Sequence, residues 1–193
     1  MRIEELMSNT DRAFAGIAEL QNQNQLIPDG LIQIATEMAE EVLAIQFLNP
    51  RFIAGELHLL SAAHNAWNAW SGGYAIARSL DVEIILYASA QRQIKNAFNL
   101  MGLEEGLSSV AVIVVAETED SVEETIKILV KRVGNELIEP FKVDRARFER
   151  IQDFFRIPQI ELDAISKSGS IEGRWLALVR CVVSRVSLVA TEA

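Results

Sequence analysis

The chain has 193 residues, half of them hydrophobic, a length and composition that provide for one domain with a good-sized core, with or without an added N-terminal segment. A formal net charge of −9 excludes a long duplex-binding surface, which must neutralise many phosphates with Lys and Arg, though not a short local nucleic-acid site. The single cysteine, Cys181, excludes an intramolecular disulfide framework and a multi-cysteine zinc site, and it fits a reducing compartment.

Residues 1–12 are polar and read as frayed or weakly helical, and Ala13 to Leu20 reads as a first strand. Acidic residues in MRIEELMSNT interrupt the apolar run that a signal peptide needs. No apolar stretch approaches the roughly 20 residues that span a bilayer, so a soluble cytoplasmic protein without a membrane partner is expected. The run QNQNQ at 21–25 is a loop by composition. Asp29 is placed to cap a helix that continues to Glu41 with Ile32, Ala35, Met38 and Ala39 inward. Val42 to Leu48 reads as a buried strand stopped by Asn49-Pro50. From Gly55 to Trp70 apolar residues stand on more than one side, including Leu59, Ala62, Ala63, Ala66, Trp67 and Trp70, as in a helix buried over much of its surface. Ser71-Gly72-Gly73 ends it.

The stretch from Leu80 to Gly102 joins a strong apolar pattern to an unusual polar cluster. Leu80, Ile84 and Tyr87, then Ile94, Ala97, Phe98 and Met101, recur at helical spacing on either side of a break at Ser89. Two helices are predicted, with Ser89 capping the second and Gly102 ending it in a left-handed conformation. Between them stand Ala90, Gln91, Arg92 and Gln93, with Lys95 and Asn96 close behind. Amide and cationic donors at a helix start can hold a phosphate or a base edge, or can simply be solvated residues at a junction.

Val110 to Ala116, VAVIVVA, is the clearest strand, and its continuous β-branched run suits an interior position covered on both faces. Ser121-Val122-Glu123-Glu124 matches a capping box opening a helix with Val122, Ile126, Leu129 and Val133 inward, stopped at Gly134. Asp144 caps another, with Phe148, Ile151 and Phe155 on one face, ended before Pro158. A turn at Ser168-Gly169-Ser170 precedes the last segment, Ile171 to Val189, where Trp175, Val179, Val182, Val186 and Val189 keep helical spacing. Leu178, Cys181 and Leu188 widen that apolar face beyond one sheet contact. It is either partly exposed for a partner or wedged into the core.

The chemistry of an active site is hard to find. Neither a G-x-x-x-x-G-K-[ST] loop nor a G-x-G-x-x-G turn occurs. His58 and His64, the only histidines, lie six residues apart on one predicted helix and so point to different faces; they cannot share a metal. No nucleophile, base and orienter can be assigned, so neither a catalytic residue nor a metal ligand nor a cofactor is expected. A binding or regulatory protein is favoured over an enzyme. The rival is a free-standing small-molecule-binding or enzymatic α/β domain with a pocket that sequence does not reveal.

Several segments, in order, resemble a known family. Asn49-Pro50, Ile53-Ala54-Gly55 and His58-Leu59 come first; Ser79-Leu80, Glu83 to Ser89, Arg92-Gln93-Ile94, Ala97 and Gly102 form the middle; Val110 to Val115 and Leu176 to Val186 complete the series. Together they resemble the small subunit of the KEOPS complex that binds its atypical kinase, known in animals as the PRPK-binding protein. The resemblance runs from Gln46 to Val189, and the first 45 residues match poorly. Glu56-Leu57 departs from it, standing where a basic residue is expected.

What the resemblance implies is a noncatalytic part in making threonylcarbamoyl-adenosine in transfer RNA, by docking on the kinase and recruiting the RNA through its single-stranded 3′ CCA end. A three-nucleotide tail offers few phosphates, so stacking, amides and a few cations suffice despite the acidic charge. The expected RNA contacts are Arg92 and Lys95 to phosphate and Gln91 and Gln93 to base edges, with His58, Asn65 and Arg78 as lesser candidates. Kinase contacts are expected on the last helix, at Leu178, Cys181, Val182, Arg185 and Val186. Self-association when isolated stays open. The expected fold class is α/β (α+β), a central mixed or antiparallel sheet of about four to five strands flanked by helices, with a long C-terminal helix.

Overall fold

A computed structural model describes residues 1–8, 11–142, 144–166 and 170–190. In chain order the elements are β1 (Arg2–Met7), β2 (Arg12–Gln21), α1 (Pro28–Glu37), β3 (Ala44–Leu48), a 3-10 turn (Pro50–Phe52) and α2 (Glu56–Ser71). There follow α3 (Leu80–Ala88), α4 (Ile94–Met101), β4 (Ser109–Ala116), α5 (Glu119–Arg132), α6 (Arg145–Phe154), α7 (Gln159–Ile165) and α8 (Ile171–Leu188). The strands form one antiparallel sheet in the order β1-β2-β4-β3, which agrees with the expected α+β class.

The sheet separates two cores because side chains alternate across a strand. On β4, Ala111, Ile113 and Val115 face a core built with α2, α3 and α8, while Val110, Val112 and Val114 face a second one with α1 and α5. Pairing of Ile17 with Ile113 and Gly16 with Val114 puts β2 in the same register. Helix α5 lies so close over β2 that a side-chain carbon on Gly16 would fall on Val122 and within 2.7 Å of Ile126.

Several expectations are corrected. The N-terminal residues form an edge strand; Glu4 and Glu5 face solvent, and only hydrogen bonding to β2 makes RIEELM a strand. Helix α1 turns Leu31, Ile34 and Met38 inward, leaves Ile32 56% exposed, and begins at Pro28 without a side-chain cap from Asp29. Helix α5 starts earlier than the capping box implies, with Thr118 as the cap that accepts from Ser121 N–H. Asp144 does cap α6, accepting from Arg147 N–H at 2.7 Å. Helix α7 was not foreseen, and Ser168 and Gly169 of the expected turn lie outside the described residues.

The break at Ser89 is real, but its chemistry differs. Ser89 ends α3, its hydroxyl donating to the Ile85 and Leu86 carbonyls, and α4 begins after Gln93 with no side-chain cap. Gly102 is extended, not left-handed; it is glycine because a side chain there would strike the Phe98 carbonyl. The left-handed residue is Ala90 at φ 51°, whose N–H bonds the Tyr87 carbonyl while Gln91 N–H reaches Leu86. That pair of bonds closes a helix end of the kind usually given to glycine. Helix α3 is buried nearly all round, and its buried acid, Glu83, accepts from the N–H groups of Ile76 and Ala77 at 3.2 and 2.6 Å. This buried carboxylate fixes the loop that carries Arg78.

Candidate binding surfaces

The expected RNA residues do not converge on one site. His58 is fully buried. Its Nδ1 accepts from Ala54 N–H at 3.2 Å and its Nε2–H donates to the Ala88 carbonyl at 2.8 Å, with the ring edge-on to Phe155. Both ring nitrogens are satisfied within the fold, and burial lowers the imidazole pKa to about 4, so it is a neutral stitch between the start of α2 and the end of α3 rather than an RNA contact. Asn65 donates to the Ser61 carbonyl one turn back and lines a groove that includes none of Gln91, Arg92, Gln93 and Lys95. Gln93 and Lys95 are exposed on α4, and Arg78 is exposed beside the start of α3. Arg92 is half-buried and donates from Nη1 to the Val189 carbonyl at 2.5 Å. Glu56, standing where a cation was expected, pairs with Arg2 across 3.5 Å.

The residues expected to meet the kinase are corrected as well. Leu178, Cys181, Val182 and Val186 have no exposed surface and pack into the core on the α2 side of the sheet. The apolar face of α8 is wide because it is clasped by α2, α3, α6 and α7 at once. Arg185 is tied inward too, donating to both Glu161 oxygens at 2.7 and 2.8 Å and to the Phe155 carbonyl at 2.8 Å. The ridge that α8 shows to solvent is instead Leu176, Arg180, Ser184 and Ser187.

Three surface grooves of 720, 700 and 750 Å³ are similar in size, so chemistry distinguishes them. The first runs between β1, α2 and α8; Leu57 and Leu176 are 48% and 45% exposed there, with Leu60, Val179 and Val183 beneath and Arg180 and His64 at the rim. The second lies at the α3–α4 junction and holds Gln91, Asn96 and Asn99, but the ends of α3, α6 and α8 all meet there. Helix C-termini carry partial negative charge, which disfavours phosphate and is met here by Arg92 and Arg185. The third lies between α1, β3, α3 and α4, with Trp70 and Phe98 40% and 41% exposed beside Arg78, Ser79 and Asn99. An aromatic pair beside a cation can stack bases and hold a phosphate.

Pattern reading placed Trp70 and Phe98 in the core and did not single out Leu57 or Leu176. On α4 only Ala97 and Met101 are buried, and Ile94, Phe98 and Leu100 are left open to solvent, which helical spacing by itself did not signal. Among the described residues no group of three or more His, Cys, Asp or Glu could hold a metal ion, and no helix is long and apolar enough to cross a membrane.

The fold and its surfaces define an α+β domain with apolar and aromatic side chains exposed in surface grooves. Residues 18–190 match the family of kinase-binding proteins CGI-121, and the chain belongs to that family. The match begins well before Gln46 and so takes in the last four residues of β2, Ala18 to Gln21, and all of α1. No curated protein matches the chain.

Proposed function

We propose that this chain is the regulatory subunit of a KEOPS-type complex, docking on the atypical kinase and delivering the 3′ CCA end of transfer RNA for threonylcarbamoyl-adenosine formation, with no catalytic step of its own. The kinase-binding family to which the chain belongs supports the first half. The observation that carries the kinase surface is the groove between β1, α2 and α8, where Leu57 and Leu176 stay open to solvent above an apolar floor. Exposed apolar area rimmed by Arg180 and His64 suits a protein partner better than water.

For the RNA tail, the groove between α1, β3, α3 and α4 supports the reading best. Trp70 and Phe98 offer stacking faces, Arg78 offers a cation, and Lys95 stands one turn before Phe98 on the same helix. This small site asks for few phosphate contacts, which an acidic chain can supply. Gln91, which lines the neighbouring groove at the α3–α4 junction, and Gln93, exposed just before α4, remain base-edge partners in this proposal.

The test uses the purified chain with its kinase and with transfer RNA, intact or trimmed of CCA. Leu176→Arg is expected to abolish co-elution with the kinase on size exclusion while leaving the RNA shift unchanged. Trp70→Ala is expected to weaken binding of the intact RNA by about fivefold or more, since each stacked base is worth ~1–3 kcal/mol. Equal affinity for intact and trimmed RNA would remove the RNA half of the proposal, and an undisturbed kinase complex with Leu176→Arg would remove the docking surface.

A further inference from the structure

Arg92 lies in the polar run between α3 and α4, yet its guanidinium reaches across 97 positions of sequence to the last turn of α8. Its partner, the Val189 carbonyl, belongs to the residue that ends that helix. The end needs such a partner. Val189 keeps helical angles, with no left-handed glycine to satisfy the terminal carbonyls. The basic residue in that last turn, Arg185, is turned away toward Glu161 and the Phe155 carbonyl. Arg92 therefore supplies from another helix the positive charge and donor that a helix C-terminus favours. It also faces Tyr87, whose phenol burial pushes up to about 12, against a smaller opposing pull from this guanidinium.

We infer that Arg92 is a positioning residue for the kinase-docking helix: by holding the Val189 carbonyl it fixes the last turn of α8, and with it the ridge that runs back through Ser184 and Arg180 to Leu176. The inference rests on the proposed kinase surface, and it removes Arg92 from the RNA contacts. The residue acts on the kinase side while sitting in the polar junction. Packing alone would leave the last turn free to fray, because Leu188 and Ala190 are exposed on either side of the buried Val189 side chain.

The experiment compares the wild-type chain with Arg92→Gln and Arg92→Lys in three measurements: kinase affinity by calorimetry, affinity for a short oligonucleotide ending in CCA, and amide hydrogen exchange in the isolated chain. Arg92→Gln is expected to weaken kinase binding by about 3- to 10-fold, within the roughly 2- to 30-fold coupling carried by residues that touch neither ligand. Exchange at residues 186–190 should quicken, and oligonucleotide affinity should stay within twofold. Arg92→Lys, which keeps a charged donor, is expected to recover most of the kinase affinity. Unchanged exchange at 186–190 in Arg92→Gln overturns the inference, as does a loss of oligonucleotide affinity with kinase affinity intact. Failure of the wild-type chain to bind the kinase would instead defeat the functional reading, while the exchange measurement would still decide whether Arg92 holds the helix end.

Discussion

Arg185 on α8 and Glu161 on α7 meet through two parallel hydrogen bonds of 2.7 and 2.8 Å, a fork that joins the last helix to the short one sequence reading overlooked. The Arg185 guanidinium hydrogen bond holds the Glu161 carboxyl below its ordinary pKa. Glu161→Gln should therefore cost about 1 kcal/mol at neutral pH, since the pair is part-exposed and screened. The difference should shrink as pH falls below the ordinary carboxylate range, because the native advantage of the ionised form is then lost. Arg185→Ala should cost about 1–2 kcal/mol, as the Phe155 carbonyl also loses its donor. Urea unfolding of the three chains checks both, and equal midpoints would refute the structural role given to the fork.

His58 gives a second pH signature. Its folded pKa near 4 lies below the ordinary 6.5, so the unfolded chain binds the proton first. The stability due to the buried neutral ring is complete above pH 6.5 and is lost as pH falls toward 4, by up to about 3 kcal/mol. In His58→Gln, which keeps a donor for the Ala88 carbonyl but cannot titrate, the deficit against wild type should be largest at pH 7 and smaller at pH 4.5. A deficit independent of pH would contradict this account.

Ala90 and Arg156 both adopt left-handed angles, φ 51° and 50°, immediately after α3 and α6. A β-carbon is disfavoured there. Ala90→Gly should raise stability by about 0.5–1 kcal/mol, as should Arg156→Gly, with the fold unchanged. Thermal unfolding decides it; a lower melting temperature for Ala90→Gly would mean that its methyl group packs better than its backbone is strained.

Two residues on α8 separate core from surface. Val182 is fully buried, so Val182→Arg places an unpaired charge among apolar groups and should unfold the chain rather than merely release a partner. Leu176 is 45% exposed, so Leu176→Arg should change the melting temperature by no more than about 2–4 °C, as expected for surface substitutions. Circular dichroism melts of the two variants distinguish them, and a well-folded Val182→Arg chain would show that α8 is far less enclosed than its packing implies.

The sequence by itself determined the elements whose patterns are local: the β-branched run of β4, the stripes of α2 and α5, the Asp144 cap and the interruption at Ser89. It also carried enough of the family's residues to point to the kinase-binding family. Tertiary structure decided what depends on distant partners. RIEELM became a strand only because β2 supplied hydrogen bonds, and the broad apolar face of α8 was enclosed because four helices converge on it. The same holds for the polar residues. His58 and Arg92 look available in sequence, but the Ala88 and Val189 carbonyls take them up, while Trp70 and Phe98 look like core and stay open. Periodicity states that a face is apolar; only long-range packing determines whether anything covers it.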